Sequence, residues 1–160
     1  MAIIKIKGFE DIREKHKNKK VVFCSGTFDL LHAGHVLFLE DCKNHGDILV
    51  VGLGCSKIVK SYKNKNPIIN EVMRLKMLDS LKIVDYVFLE TAGHLFDSLE
   101  RVFSKLKPDF YVVNYDASLI PERKNIADKY KVKFVILNRK CPKSYENIST
   151  TKIIEKIKEL

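Results

Sequence analysis

The chain has 160 residues, 46% of them hydrophobic, which is enough for one well-buried core and too few for two ordinary domains. Its formal charge of +9 comes from 29 basic and 20 acidic residues, and the lysines are spread out rather than grouped with aromatic residues, so we expect a solvated basic surface and no nucleic-acid partner. No apolar stretch approaches the roughly 20 residues of a membrane span, and the first residues lack the apolar region of a signal peptide, which favours a cytoplasmic protein without a membrane partner.

Apolar runs and segments with helical spacing alternate along the chain from residue 21 onward. The predicted strands are 21–25, 48–54, 84–89, 110–113 and 133–137. The predicted helices are 36–44, 71–81, 95–105, 122–130 and 149–158. Most strands are apolar throughout, as in a parallel sheet covered on both faces, so the pattern predicts an α/β fold with a doubly wound, five-stranded parallel sheet. Residues 1–20 are interpreted as an N-terminal extension with a helical turn or two over 9–16, and residues 21–160 as the single domain.

The first predicted strand and helix are joined by a turn that carries two glycines and two histidines. Gly26 and Gly34 allow the backbone to approach a ligand closely. The first N–H groups of a helix lack internal partners and lie at the positive end of its dipole, so they attract anions. If the helix begins at Ala33 or before it, His32 and His35 project from one face toward that anion. The turn therefore predicts a phosphate site.

Two histidines on one helical face also occur in zinc sites, and this alternative needs a third ligand. The cysteines that might supply it show no CxxC spacing; they are Cys24, Cys42, Cys55 and Cys141. We therefore expect no metal ligand set in the protein, and reduced thiols rather than disulfides.

The longest gap between predicted elements, residues 55–70, is interpreted as a loop. It contains Lys57, Lys60, Lys63 and Lys65 at short intervals. A solvated surface loop explains this pattern, and so does a mobile lysine loop that closes over a triphosphate.

Three separate segments together resemble the HxGH nucleotidyltransferase superfamily, and within it the cytidylyltransferase-like group. His-Ala-Gly-His at 32–35 is similar to the HxGH signature, residues 107–116 resemble the fourth strand and its following loop, and residues 148–154 resemble the Ser-Thr-Thr helix start that contacts nucleotide phosphates. The resemblance implies a Rossmann-like sheet. It also implies in-line transfer of a nucleoside monophosphate from a nucleoside triphosphate, accompanied by Mg²⁺, to the phosphate of a small metabolite.

The resemblance also implies roles for individual residues. His32, His35 and Lys65 are the implied catalytic residues, and Lys65 with Lys63 matches a Lys-x-Lys pattern of the family. The implied nucleotide-binding residues are Gly26, Thr27, Phe28, Asp29, Gly34, Lys63, Arg74, Lys82, Asn114, Asp116, Ser149, Thr150 and Thr151.

Several of these residues also have a plain structural interpretation. Arg74 lies three residues after Glu71, a spacing that also suits an ion pair on a helix. Asp116 also fits a turn-forming residue. Ser149 fits the N-cap of the last helix, although capping alone leaves the two threonines after it unexplained. Lys82 is similar to a basic residue that contacts phosphate in glycerol-phosphate cytidylyltransferases.

The sequence predicts the type of reaction more clearly than it predicts the acceptor, the metabolite that receives the nucleoside monophosphate. Residues 17–36 look most like the adenylyltransferase domain that makes ADP-heptose from heptose 1-phosphate, so we expect AMP or CMP transfer with a lean toward a sugar phosphate of that type. Residues 114–116, Asn-Tyr-Asp, depart from the Gly-Gly-Asp of those enzymes. Glycerol-3-phosphate cytidylyltransferases are similar too, but they carry an arginine where this chain has Ser144, with Arg139 or Lys143 as nearby substitutes.

Two further alternatives remain. Archaeal-type FAD synthetases resemble the chain at the first motif and at residues 82–85. A regulatory module that binds a nucleotide without turning it over belongs to a different class, and pyrophosphate release would distinguish it from an enzyme. Proteins that the chain resembles are often dimers, so a homodimer is the expected assembly.

Overall fold

The computed structural model describes residues 2–3, 8–91, 93–139 and 141–160. Parallel strands form one sheet in the order β1-β4-β3-β2-β5-β6. The strands are β1 (Ala2–Ile3), β2 (Val21–Gly26), β3 (Ile48–Gly54), β4 (Tyr86–Glu90), β5 (Phe110–Asn114) and β6 (Lys133–Leu137). The helices are α1 (Phe9–Lys15), α2 (Ala33–Lys43), α3 (Ser56–Lys63), α4 (Glu71–Asp79), α5 (Leu95–Leu106), α6 (Ile120–Lys129) and α7 (Thr150–Lys158).

Strand β2 lies at the centre of the sheet and is buried on both faces. Val21 and Phe23 pack in the core cluster that includes residues of α1, α5 and α6, whereas Val22 and Cys24 pack in the cluster that includes residues of α2 and α4. Successive residues of a strand point to opposite faces, so a sheet with helices on both sides requires an apolar residue at every position. The predicted doubly wound, Rossmann-like parallel sheet is confirmed, with all five predicted strands present.

The N-terminal residues contribute to the same sheet and core. Strand β1 pairs with β4, with Ala2 opposite Tyr86, and so adds a two-residue edge strand to the five that the sequence predicted. Phe9 and Ile12 of α1 are buried in the core. Met1 and residues 4–7 of the predicted extension lie outside the described residues.

The predicted loop at residues 55–70 is wrong over its first half, because residues 56–63 form helix α3. Ile58 and Val59 are buried while Lys57 and Lys60 are exposed, so the helix is amphipathic. It ends at Asn64, which adopts the left-handed conformation with φ of 52°. The helical spacing of Ile58, Val59 and Tyr62 was a usable signal, which the frequent lysines obscured.

The order of the strands opens a crevice between the carboxyl ends of β2 and β5. The chain builds outward from β2 through β3 to β4, and then crosses to β5 on the other side of β2. The helix after β2 packs on one face of the sheet and the helix after β5 packs on the other, so the loops that follow the two strands diverge. None of the helices in the described part of the chain combines the length and apolarity that a bilayer crossing requires.

Candidate active site

Two adjoining cavities occupy the crevice between β2 and β5. Their volumes are about 270 Å³ and about 250 Å³. The first is lined by the turn after β2, the end of α3, the loop after β5 and part of α6. The second is lined by the start of α2, by residues 138, 139 and 141, and by residues 145–151 before and within α7. The residues that line both cavities are His35, Phe38, Lys63, Asn114, Arg139, Thr150 and Thr151.

The turn after β2 is held in a tight conformation. Phe28 and Leu30 have positive φ angles of 48° and 47°, a region that non-glycine residues seldom adopt. A Cβ atom on Gly26 would lie 2.9 Å from the Phe28 ring, so only glycine fits there. Asp29 stabilises the turn, because its carboxylate accepts hydrogen bonds from the N–H groups of Leu30 (3.1 Å), Ile68 (2.7 Å) and Ile69 (2.9 Å).

The two histidines stack at the start of α2. The helix begins at Ala33, three residues before the predicted start, and His32 is its N-cap residue. The ring centroids of His32 and His35 are 3.9 Å apart, with 24° between the ring planes. Their Nδ1 atoms are buried and have no hydrogen-bond partner among the described residues. Buried ring nitrogens are normally paired, so these two are candidates for binding a ligand.

Burial keeps both histidines neutral. The pKa of His35 is lowered to about 3, mainly by burial and to a smaller extent by the nearby His32, Arg139 and Lys63. Burial and Arg139 also lower the pKa of His32. At neutral pH each ring therefore offers one N–H donor and one acceptor nitrogen rather than a positive charge.

The basic side chains around the cavities come from three separate segments. Lys63 and Lys65 line the first cavity, and desolvation together with the charge of Lys65 lowers the pKa of Lys63. Arg139 forms a 2.6 Å ion pair with Asp116, and both groups remain partly exposed. Arg123 is 5% exposed and lines the first cavity. Lys143, the other nearby substitute considered for the missing arginine, lines neither cavity.

The start of α7 is attached to the turn after β2. Ser149 is the N-cap of α7, and its hydroxyl accepts a 3.2 Å hydrogen bond from the N–H group of Lys152. The hydroxyl of Thr150 donates to the backbone oxygen of Asp29 over 2.9 Å, across 121 residues of sequence. Thr151 lines both cavities. The tertiary structure therefore places the N-termini of α2 and α7 next to each other, where both attract anions.

Arg74 lies outside the cavities, in the protein interior. It is 1% exposed, and its guanidinium donates to the backbone oxygens of Ile69 (2.8 Å), Thr27 (2.6 Å) and Gly54 (3.1 Å). It therefore ties together the turns that follow β2 and β3 instead of reaching a nucleotide. The ion pair with Glu71 is not formed either, because Glu71 accepts hydrogen bonds from the N–H (2.8 Å) and hydroxyl (2.5 Å) groups of Ser56.

Lys82 lies at the opposite edge of the sheet from the cavities. It is exposed and precedes the amino end of β4, whereas both cavities lie at carboxyl ends. The remaining residues proposed from the sequence line one or both cavities; they are Gly26, Thr27, Phe28, Asp29, His32, Gly34, His35, Lys63, Lys65, Asn114, Asp116, Ser149, Thr150 and Thr151.

Sequence reasoning missed Arg123 and Tyr62, which both line the first cavity. Arg123 follows Pro121 and Glu122 in an ordinary polar helix start, and no local signal separates it from a surface arginine. Tyr62 was assigned to a loop, so its position on the inner side of α3 was not recognised. Among the described residues, no three His, Cys, Asp or Glu side chains are grouped closely enough to hold a metal ion.

The family model described as cytidylyltransferase-like matches residues 23–156. The bifunctional protein HldE of Campylobacter jejuni subsp. doylei is 36% identical over 159 residues, covering 97% of this chain and 32% of that protein. The HldE protein of Helicobacter pylori strain HPAG1 is 38% identical over 150 residues, covering 90% of this chain and 29% of that protein. The chain thus spans about a third of the length of these curated relatives.

Two solved structures share the fold. The lipopolysaccharide core biosynthesis protein from Thermoplasma volcanium GSS1 aligns with a TM-score of 0.67 and 28% identity, over 77% of this chain and 99% of that one. The pantoate-beta-alanine ligase from Francisella tularensis aligns with a TM-score of 0.60 and 19% identity, over 99% of this chain and 79% of that one, which is a likeness of fold alone. Since the family model matches residues 23–156, which is most of the chain and includes the histidine turn, the chain belongs to the cytidylyltransferase-like family.

Proposed function

We propose that this protein is a nucleotidyltransferase that moves AMP, or alternatively CMP, from a nucleoside triphosphate to the phosphate of a small phosphorylated sugar, polyol or alcohol. The observation that carries the proposal is the stacked pair of His32 and His35 at the start of α2. Their buried Nδ1 atoms lack partners among the described residues, and the cavities beside them are lined by Lys63, Arg139 and the first turn of α7. Family membership supports the same reaction.

The reaction is an in-line displacement at the α-phosphorus. An oxygen of the acceptor phosphate forms a bond to this phosphorus, while the bond to the oxygen that bridges to the β-phosphate breaks. Pyrophosphate leaves with the electron pair of the broken bond. The acceptor phosphate is already ionised at neutral pH, so no side-chain base is needed, and the rate comes from alignment and charge stabilisation.

The histidines serve as uncharged hydrogen-bond donors to the α-phosphate. Because burial lowers the pKa of His35 to about 3, its ring is neutral at physiological pH in the unliganded protein. A donor fixed by the helix and by stacking on His32 needs no reorganisation when negative charge redistributes on the phosphate oxygens. We infer that Asp29 is a positioning residue, since its carboxylate accepts three backbone N–H groups.

The β- and γ-phosphates are assigned to Lys63, Lys65, Ser149, Thr150 and Thr151. Mg²⁺ bound with the triphosphate would neutralise part of its charge. The carboxylate of Asp29 is committed to backbone N–H groups, whereas that of Asp116 lines the first cavity, is 41% exposed and pairs through one oxygen with Arg139. Asp116 is therefore the residue that fits a contact with the hydrated ion.

A sugar phosphate of the heptose 1-phosphate type is the leading acceptor, with ATP as the donor. The HldE relatives and the resemblance at residues 17–36 support this choice. One observation favours CTP instead. Arg139 lines both cavities, close to the segment in which glycerol-3-phosphate cytidylyltransferases carry their arginine, so a basic group is available there although residue 144 is a serine.

Pyrophosphate release with Mg²⁺ tests the reaction directly. ATP and CTP are each assayed against heptose 1-phosphate, glycerol 3-phosphate, phosphocholine, phosphoethanolamine and FMN. Release in one nucleotide series identifies the base, and the acceptor follows from testing the compounds singly. Nucleotide binding without pyrophosphate release for any acceptor would contradict the proposal and favour a regulatory module.

Replacing His35 tests whether the stacked histidine pair takes part in the reaction. We expect His35→Ala to lower turnover by at least about a hundredfold with little change in Tm, the scale of losing a donor to the transition state. The matched control is His94→Ala, which removes an exposed histidine that lines neither cavity. Turnover at the wild-type rate in His35→Ala would rule out the catalytic role.

We also propose that the protein is cytoplasmic, where nucleoside triphosphates are available, and that it forms a homodimer. The dimer is supported by three exposed apolar residues at and before the start of α4, namely Ile68 (61%), Val72 (71%) and Met73 (56%). Light scattering of the purified protein measures its molecular mass in solution, and a monomer at all concentrations would contradict the dimer.

A further inference from the structure

Both cavities are lined by apolar and polar side chains. The second cavity has apolar side chains beyond the helix N-termini, among them Leu37, Tyr145 and Ile148. The polar side chains of the first cavity include those of Ser25, Tyr62 and Arg123. None of these three residues takes part in the reaction described above.

Arg123 is buried, and only some of its N–H donors have hydrogen-bond partners among the described residues. Its Nε atom donates to the backbone oxygen of Ser118 over 2.7 Å, and its Nη1 atom donates to the hydroxyl of Tyr111. A guanidinium has five N–H donors, so these two contacts fix its orientation and leave donors for a ligand in the cavity that it lines.

Hydroxyl groups line the same cavity as this guanidinium. The Tyr62 hydroxyl lies 3.2 Å from the Thr27 hydroxyl, in the turn after β2, and the Ser25 hydroxyl lies 3.5 Å from that of Tyr111. Donors and acceptors of this kind, on side chains held by packing, match the hydroxyls of a polyol or sugar better than the flat face of a base.

We propose that the first cavity holds the acceptor, and that Arg123 and Tyr62 recognise hydroxyl groups on a polyhydroxylated acceptor while the nucleotide base occupies the second cavity. This inference rests on the proposed transferase function. Arginine usually binds a phosphate through two parallel N–H groups of its guanidinium. In Arg123, Nε already donates to Ser118 and Nη1 to Tyr111, so we assign its remaining N–H groups to hydroxyls rather than to a phosphate. An acceptor without the hydroxyls would leave buried donors unpaired, and a site of this kind discriminates strongly.

Kinetics on single variants test the assignment, with KM measured separately for the nucleotide and for the acceptor found active in the pyrophosphate assay. We expect Arg123→Gln to raise the acceptor KM about 10- to 100-fold, and Tyr62→Phe about 3- to 10-fold. The nucleotide KM should stay within about twofold. Tyr62→Phe removes only a hydroxyl and so keeps the test valid even if Arg123→Gln fails to fold.

Two matched variants serve as controls. Arg101→Gln and Tyr115→Phe remove the same groups from residues that line neither of the two cavities, and the acceptor KM should not change in either. A deoxy analogue of the acceptor, lacking one hydroxyl at a time, should bind more weakly to the wild type but equally well to the variant that has lost its partner.

Several outcomes would overturn the inference. An unchanged acceptor KM in Tyr62→Phe and Arg123→Gln, or a rise confined to the nucleotide KM, would refute the acceptor assignment and leave the transferase function intact. Activity with phosphocholine but with no hydroxyl-bearing acceptor would refute it as well. A wild-type protein that releases no pyrophosphate with any acceptor would refute both proposals.

Discussion

Gly34 lies too close to its neighbours for any side chain to fit without displacement. A Cβ atom there would be 3.0 Å from Cε1 and Nδ1 of His32 and 3.2 Å from the backbone oxygen of Ile148. The backbone cannot yield easily, so the His32 ring would have to move away from its stacked partner.

We expect Gly34→Ala to lower turnover about 10- to 100-fold while changing Tm by only a few degrees, because small misplacements of catalytic groups are costly. Steady-state pyrophosphate release measures this effect. Gly93→Ala is the matched control, since a Cβ atom at that position meets nothing within 4 Å. Equal turnover in the two variants would mean that the position of the His32 ring does not matter.

Glu90 is a buried carboxyl at the carboxyl end of β4. Burial raises its pKa to about 7, although Arg123 and a hydrogen bond with Ser98 lower it in part. Its Oε1 atom has no partner among the described residues. In the unfolded chain this group ionises near pH 4.5, so from there up to about pH 7 the folded state holds a proton that the unfolded state has lost.

Stability should therefore fall as the pH rises between about 4.5 and 7, by an amount on the order of 3 kcal/mol from this group. We expect Glu90→Gln to remove much of that fall, so that the variant is more stable than the wild type at pH 8 and similar to it at pH 5. Urea unfolding at the two pH values measures the difference. A variant with the same pH dependence as the wild type would contradict the assignment.

At the scale of elements, the β2–α2 turn is joined to the segment before α4 by one carboxylate. Asp29 accepts N–H groups from its own turn and from Ile68 and Ile69, and its backbone oxygen accepts the hydroxyl of Thr150. Asp29 therefore couples the histidine turn to both α4 and α7.

Asp29→Asn would place an NH2 group against a backbone N–H group and lose one acceptor. We expect a loss of about 1 to 3 kcal/mol in the free energy of unfolding, together with reduced turnover. Asp47→Asn is the control, since the Asp47 side chain accepts the N–H group of Lys20 (2.9 Å) and lines neither cavity. Its turnover should stay at the wild-type rate, and a matching loss there would show that only stability is being measured.

Helix α3 shows how an element can be missed when its polar face dominates the sequence. Four lysines within nine residues, Lys57 to Lys65, led to the interpretation as a loop, but Ile58 and Val59 bury the inner face of the helix. The fold delivers Lys63 and Lys65 to the first cavity from the end of that helix and leaves Lys57 on the surface. The sequence alone therefore does not show which of the four lysines line the cavity and which lie on the surface. The packing of the helix decides it.

At the scale of the whole molecule, residues from 25 to 151 meet around one crevice, so a bound nucleotide links segments that are distant in sequence. A nucleotide that binds only the folded state should stabilise it by about 3 kcal/mol when the nucleotide concentration is 100 times Kd. Tm should rise accordingly. We expect this rise with Mg²⁺ and the nucleotide in the wild type and in Lys57→Ala, and a smaller rise in Lys65→Ala at the same concentration. Thermal melts with and without nucleotide provide the measurement, and equal shifts in all three proteins would exclude Lys65 from the phosphate site.

The sequence by itself determined the doubly wound parallel sheet, the position of the histidine turn and the Ser149 cap. These features depend on signals that are local along the chain, namely apolar runs, helical spacing and capping residues. Tertiary structure alone decided which basic residues reach the crevice. Arg74 turned inward to three backbone oxygens, Lys82 lay at the amino edge of the sheet, and Arg123 entered the first cavity. Strand order and helix packing control those positions, and a charged residue looks the same in the sequence at either edge of a sheet.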